Sequence, residues 1–274
     1  MTEMLTGLSR CCIHTITTKP WSLREAIDEY MKAGVPGVTV WRDALEPQGV
    51  EESAKMLADS DLTVVSLCRG GFFPGETDKQ RQEAIDDNRR AIDEAATIGA
   101  PLIVLVCGAV PGMPLAEGRN QIAEGIAAVL PYAREAGVKL SIEALHPMYA
   151  DSRSAVNTLA QANDMAEQIN DDFLGVTVDV YHLWWDPNLE QQIERAGKSV
   201  LSFHVCDWRT PTRDLLTDRG LMGQGCIDIR GIREWVERAG FDGFIEVEIF
   251  SEEFWAMDQT EYLDQITRAY LAHC

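Results

Sequence analysis

The chain has 274 residues, 46% hydrophobic and 25% charged, with 44 acidic against 24 basic side chains and a formal net charge of −20. That composition belongs to a globular protein and leaves out disordered, collagenous and low-complexity architectures. A field of this sign repels phosphate backbones and anionic lipid, so no nucleic-acid and no membrane partner is expected. It also disfavours a strongly anionic substrate unless basic residues or a metal offset the charge locally.

Short apolar runs alternate with longer amphipathic ones along the whole chain. In order, the apolar runs are LSRCCI (8–13), GVTVW (37–41), LTVVSLC (62–68), LIVLVC (102–107), KLSIEA (139–144), LGVTVDV (174–180), VLSFHVC (200–206) and FIEVEIF (244–250). Ser22 with Glu25, and Thr77 with Gln80, form capping-box patterns that open helices after the first and third runs. Ile122, Ile126, Val129, Leu130 and Ala133 share one face of the fourth helix. Gly34, Gly99, Gly137 and Gly240 stand where helices should stop, shortly before the next strand. Eight strands alternating with eight helices predict a parallel sheet with helical crossovers, and at this length a single closed (β/α)8 barrel over residues 1–274. No GxGxxG follows the first strand, which removes the usual dinucleotide-binding alternative.

The longest uncharged stretch, Ala95 to Ala116, is broken by Pro101, Pro111 and Pro114 and does not read as a membrane span. Seven scattered cysteines, with the vicinal pair Cys11-Cys12 and no CxxC, offer neither a disulfide framework nor a zinc knuckle. The opening MTEMLTGLSR lacks the apolar core of a signal peptide. A reducing cytoplasm is the expected location.

In such a barrel, chemistry gathers at the C-terminal ends of the strands. The first four ends fall near His14, Trp41, Cys68-Arg69 and Cys107; the last four fall near Glu143, Asp179, His204 and Glu248. Strand alternation puts Ser141 with Glu143, Thr177 with Asp179, Ser202 with His204 and Glu246 with Glu248 on the inward face. Alone, each residue is accounted for by a hydrogen bond or by solvent. Three carboxylates and an imidazole converging on one axis repel each other without a cation, however. An oxygen-rich set with one nitrogen suits Mn²⁺, with Mg²⁺, Co²⁺ or Zn²⁺ as alternatives.

The segments SIEALHP (141–147), VDVYHLWWDP (178–187), FHVCDW (203–208), GQGCID (223–228) and GFIEVEIFS (243–251) resemble the xylose-isomerase-like barrel superfamily. Within it they are most similar to the sugar isomerase/epimerase branch that includes inosose isomerases and ketose 3-epimerases. The resemblance implies one divalent metal held by Glu143, Asp179, His204 and Glu248, with Glu248 preferred to Glu246 because it lies one layer nearer the mouth. It further implies that His182 binds substrate and that Gly223, Gly225, Ile227 and Asp228 shape a GxGxID turn before the seventh helix.

The chemistry then follows from residue types. A metal that chelates a carbonyl and a neighbouring hydroxyl acidifies the C–H between them. Glu143 and Glu248, one on each side, would move the proton, with His182 holding a substrate oxygen and His146 as a second donor. His14 is a candidate substrate contact or a core histidine. Trp184, Trp185 and Trp208 would wall a sugar ring, or the first two would pack a homo-oligomer interface. Arg69, Arg153, Arg209 and Arg213 would bind a substrate anion or sit in ion pairs. Asp207 is expected to orient His204 or the loop that follows, and Asp151 to open a helix.

The expected activity is metal-dependent isomerisation or epimerisation of a ketose, inosose or related keto-sugar. The alternative is a lyase or dehydratase that expels a β-leaving group from the same enolate, acting on a keto-sugar, an inosose or a dehydroshikimate-like compound. A non-catalytic sugar-binding protein is a third class, disfavoured because all four ligand positions are kept. Apurinic endonucleases of the same superfamily use extra histidines for a metal cluster, and five histidines in a chain of charge −20 do not supply them.

Overall fold

The computed structural model describes residues 5–274, so the first four residues of the opening segment lie outside the described part. Seven strands follow one another around a ring: β1 (Cys11–His14), β2 (Gly37–Trp41), β3 (Thr63–Gly71), β4 (Leu102–Val106), β5 (Lys139–Glu143), β6 (Leu174–Asp179) and β7 (Val200–Val205). Beyond β7 the two-residue strands β8 (Asp207–Trp208) and β9 (Arg219–Gly220) form a small antiparallel ribbon. The last strand, β10 (Ile245–Val247), pairs in parallel with both β7 and β1 and closes the barrel.

The crossovers are α1 (Leu23–Ala33), α2 (Val50–Ala58), α3 (Asp78–Ile98), α4 (Leu115–Ala136) and α5 (Leu159–Ile169). A four-residue helix α6 (Val180–Leu183) precedes α7 (Leu189–Ala196); then come α8 (Ile229–Arg238), a second short helix α9 (Glu252–Trp255) and α10 (Gln259–His273). Both capping boxes form: Ser22 and Glu25, like Thr77 and Gln80, exchange side-chain and backbone hydrogen bonds. Gly34, Gly99 and Gly137 end their helices in the left-handed conformation, and Gly240 stands just past α8 with φ of 106°. Each crossover presents an apolar stripe to the sheet, as Ile229, Ile232 and Val236 of α8 do. Burying a side chain of that size contributes roughly 1.5–3 kcal/mol. Among the described residues no helix is long and apolar enough to cross a membrane.

Three strand boundaries differ from the apolar runs by more than one residue, and two of them matter for the site. β1 starts at Cys11, not Leu8. β10 stops at Val247, so Glu248 stands just past the ladder, although its N–H still donates to the Val205 carbonyl at 3.1 Å. β3 runs on to Gly71 and carries a register shift between Cys68 and Gly70, which leaves Arg69 as the extra, unpaired residue. Such a bulge bends its strand and re-aims a side chain. Here it delivers Arg69 to the barrel mouth.

Candidate metal centre

Parallel register sets Asp179 beside His204, and His204 beside Glu246. One layer nearer the mouth, ligand atoms of Glu143, Asp179, His204 and Glu248 all lie within 4.8 Å of one another, with every side chain buried. His204 Nδ1 is 3.2 Å from Glu143 Oε1 and 4.0 Å from Asp179 Oδ2. Glu143 Oε1, Asp179 Oδ2 and His204 Nδ1 are buried without any hydrogen-bond partner. Leaving even one such atom unpaired costs about 1–3 kcal/mol, more for charged groups. Three that face each other are the signature of a cation site.

Two further groupings, His14 with His204 and Glu246, and His14 with Cys68 and Glu248, share members with the first and belong to the same centre. Hydrogen bonds already satisfy Glu246, which accepts from Thr39 at 2.6 Å and Ser202 at 2.5 Å and lies 3.2 Å from His14 Nε2. Ser202 Oγ is also 2.8 Å from His204 Nε2. The lower layer therefore orients the His204 ring, the arrangement expected of an acceptor behind a candidate metal-ligating imidazole. Burial opposes charge on Glu246, but His14 and His204 outweigh it and bring its pKa down to about 2.

Burial and neighbouring charges set the electrostatics of the centre. Burial raises the pKa of Asp179, with Glu248 and Glu143 adding to the effect while Arg219 and His204 oppose it. Glu248 is also buried, yet Arg219 and His14 hold it well below its usual value. Burial, and after it Arg219, drive the pKa of His182 down, which favours the uncharged imidazole. Its Nε2 is 3.7 Å from Asp179 Oδ2, and its Nδ1 is buried without a partner.

Arg219 is the residue that sequence reasoning missed. It comes from β9, is 3% exposed, donates to Glu248 Oε2 at 2.6 Å and lies 3.6 Å from Asp179 Oδ2. Its guanidinium lies over the rings of Tyr181 and Phe250. The available signal was its place four residues before Gly223 of the GxGxID turn, within one short polar loop.

Other expected contacts sit elsewhere. His14 is fully buried below Glu248, with Nδ1 3.2 Å from both Glu248 Oε1 and Trp41 Nε1. Burial opposes its charge, but Glu246 and Glu248 carry its pKa up to about 9. It props the centre from beneath instead of facing a substrate. His146 accepts from the Met148 N–H and packs its ring between Trp185 and Trp208. Trp208 stacks on Tyr181 and leans on Trp184, so these tryptophans form a cluster behind His182 instead of an open wall. The Arg209 guanidinium is taken by Glu253 and Gln224, and Arg213 by Asp218 and Glu253. These ion pairs, not substrate, account for both arginines. Of the two roles open to Asp207, holding the loop is the one observed: its oxygens accept from the backbone N–H of Trp208, Gly223, Gly225 and Ile227. Gly225 is obligatory there, because a Cβ would meet the Trp208 carbonyl at 2.1 Å.

The mouth above the centre is a cavity of about 30 Å³, bounded by Glu143, His182, Arg219 and Glu248 below and by Tyr149 and Leu216 above. Leu216 belongs to a strap between β8 and β9. The Tyr181 hydroxyl donates to the Leu215 carbonyl at 3.4 Å, and the Tyr149 hydroxyl donates to the same oxygen.

An eight-stranded parallel barrel with carboxylates and a histidine gathered at its C-terminal mouth defines the class of protein, a (β/α)8 barrel with a candidate metal centre. The xylose isomerase-like TIM barrel family matches residues 27–266, and the chain belongs to it. Its curated relatives include an inosose isomerase of Bacillus velezensis, 26% identical over 195 residues that cover 69% of this chain and 68% of that one. A 3-dehydroshikimate dehydratase of Pseudomonas putida is 26% identical over 249 residues, 85% of this chain but 37% of that protein. Among solved structures, protein SMc04130 of Sinorhizobium meliloti is 46% identical with a TM-score of 0.94, covering 98% of this chain and 99% of that one. The IolI protein, solved with a bound zinc atom, shares the fold at 20% identity and a TM-score of 0.85, covering 96% and 97% of the two chains. These relationships support a sugar-related isomerase or epimerase, or a dehydratase.

Proposed function

We propose that the chain is a divalent-metal-dependent isomerase or epimerase of a keto-sugar, inosose or related polyol, with Mn²⁺ as the first-choice ion. The observation that carries this reading is the trio of unpartnered buried atoms on Glu143, Asp179 and His204, converging with Glu248. Those four residues would hold the ion, which when bound stabilises the charge that develops on an enediol oxygen. Glu143 and Glu248 enter from different strands, on β5 and just past β10, three positions apart around the barrel. One takes the proton from the carbon next to the carbonyl and the other returns it, each through an oxygen not committed to the ion. Neutral His182 and the guanidinium of Arg219 hold the substrate oxygens. Tyr149 and Leu216, which line the mouth with these residues, would shield the reacting atoms from water.

A second reading, loss of a β-leaving group from the same intermediate, is favoured by the similarity to a dehydratase over 85% of the chain. Proton NMR of ketoses, inososes and 3-dehydroshikimate in D₂O with the Mn²⁺-loaded protein separates the two. Deuterium uptake or epimer formation without loss of water supports isomerase chemistry. Loss of water identifies the dehydratase, and no reaction that depends on metal overturns both.

A further inference from the structure

Charge bookkeeping at the mouth leaves two arginines unexplained. Beside the carboxylates of Glu143, Asp179 and Glu248, Arg219 is paired with Glu248, and His14 with Glu246 below. Arg69 and Arg153 border the same cavity from β3 and from the loop after β5. Both are half-buried, and their guanidiniums lie over Phe72 and Tyr149, with Cζ 4.4 and 5.7 Å from the ring centroids. Among the described residues neither has an ion pair or a side-chain hydrogen bond, whereas Arg42, Arg209 and Arg213 nearby are all paired with carboxylates. Burial and the like charge of Arg153 hold Arg69 below its usual pKa. The protein thus keeps two repelling cations together, in a chain that carries 44 acidic residues which could have paired them.

We infer that Arg69 and Arg153 form a subsite for an oxyanion of the substrate, a carboxylate or a phosphate monoester set apart from the reacting carbonyl. A guanidinium presents a planar fork to such a group, and a charge-assisted hydrogen bond from it is about twice as strong as a neutral one. The bulge in β3 is what aims Arg69 inward, and Phe72 and Tyr149 stiffen the two side chains by stacking. Within the keto-compounds of the proposed function, the subsite selects those that carry an acid or phosphate group. The overall negative charge would then act as a filter, admitting anions only where these two residues meet them.

This inference rests on the proposed function for the position of the carbonyl, and its test is built to fail separately. Calorimetric titrations use two matched pairs, 3-dehydroshikimate against its methyl ester and D-fructose 6-phosphate against D-fructose, on protein with and without Mn²⁺. The anionic member of at least one pair should bind about tenfold tighter, and Arg69→Gln or Arg153→Gln should each remove most of that preference. Which pair shows it distinguishes a carboxylate from a phosphate. Equal affinities within both pairs, the absence of all binding included, overturn the inference, as does a preference that survives in the double glutamine variant. Thermal melting and Mn²⁺ stoichiometry check each variant. Should a glutamine variant fail to fold, Arg69→Lys and Arg153→Lys keep the charge, lose the fork and should still weaken the preference severalfold. If Mn²⁺ does not bind while the anion preference persists, the metal reading falls and the subsite stands.

Discussion

The two halves of the barrel are built alike but furnished differently. From β5 onward, successive strands end in Glu143, Asp179, His204 and, past β10, Glu248, with Ser141, Thr177, Ser202 and Glu246 beneath them. The first half ends in His14, Trp41, Arg69 and Val106, none of which joins the four-residue ligand set. Its contribution is support and enclosure: Thr39 and His14 anchor Glu246, Trp41 reaches His14, and Arg69 lines the mouth. One half supplies chemistry, and the other sets the shape and the charge around it.

The largest effect expected from this division is on metal binding. His204→Ala removes the single nitrogen of the set and should abolish Mn²⁺ binding at micromolar concentrations, while His14→Gln in the supporting half should retain one ion per chain. Equal loss in both variants, measured by calorimetry, would erase the distinction. Next in size, Glu143→Gln and Glu248→Gln should each lower turnover by at least the roughly 10²-fold typical of a lost general base. Metal occupancy should fall only in part, since an amide oxygen still ligates. Glu246→Gln should keep turnover within the same order but cost on the order of 1–3 kcal/mol of stability, because buried Thr39, Ser202 and His14 lose a charged acceptor. Loss of turnover in Glu246→Gln alone would move the eighth-strand ligand one inward position down.

The smallest effect is a pH dependence of the metal-free protein. His14, raised to about 9, stabilises fully below its unfolded value near 6.5 and loses that contribution as pH rises through 9. Glu246, lowered to about 2, stabilises above its unfolded value near 4.5 and loses its contribution as pH falls towards 2. Melting temperature should therefore be highest between about 4.5 and 6.5, and His14→Gln should flatten the alkaline side. A variant that keeps the wild-type profile would show that the pair is not coupled to folding.

The barrel and the clustering of Glu143, Asp179, His204 and Glu248 were legible because both follow from local periods. Alternation along KLSIE and VLSFHV states which side chains point inward without knowledge of the neighbours, and the capping boxes mark helix starts directly. What was hidden depends on contacts distant in sequence. Arg219 matters only because the β8–β9 ribbon folds it back over Glu248, and no period announces that return. Arg209 was open to a substrate anion or an ion pair, and its partner, Glu253, lies 44 positions on, where no local pattern reveals it. His146 and Trp208 were expected at the substrate, but their rings are used by each other and by Tyr181. Arg69 reached the mouth through a bulge, and alternation alone gives no sign of an inserted residue.

The hydrogen bonds around Asp207 have a consequence for recognition as well as for folding. Backbone N–H groups of Trp208, Gly223, Gly225 and Ile227 converge on one small hollow, the kind of amide nest that elsewhere cradles phosphate. In this molecule the nest is filled from within, by a carboxylate on the same chain. The glycine-rich turn is thereby self-plugged: it has the geometry of an anion receptor and no vacancy. An incoming anion finds those amides spent, and any attraction it meets has to come from side chains on the opposite wall of the barrel.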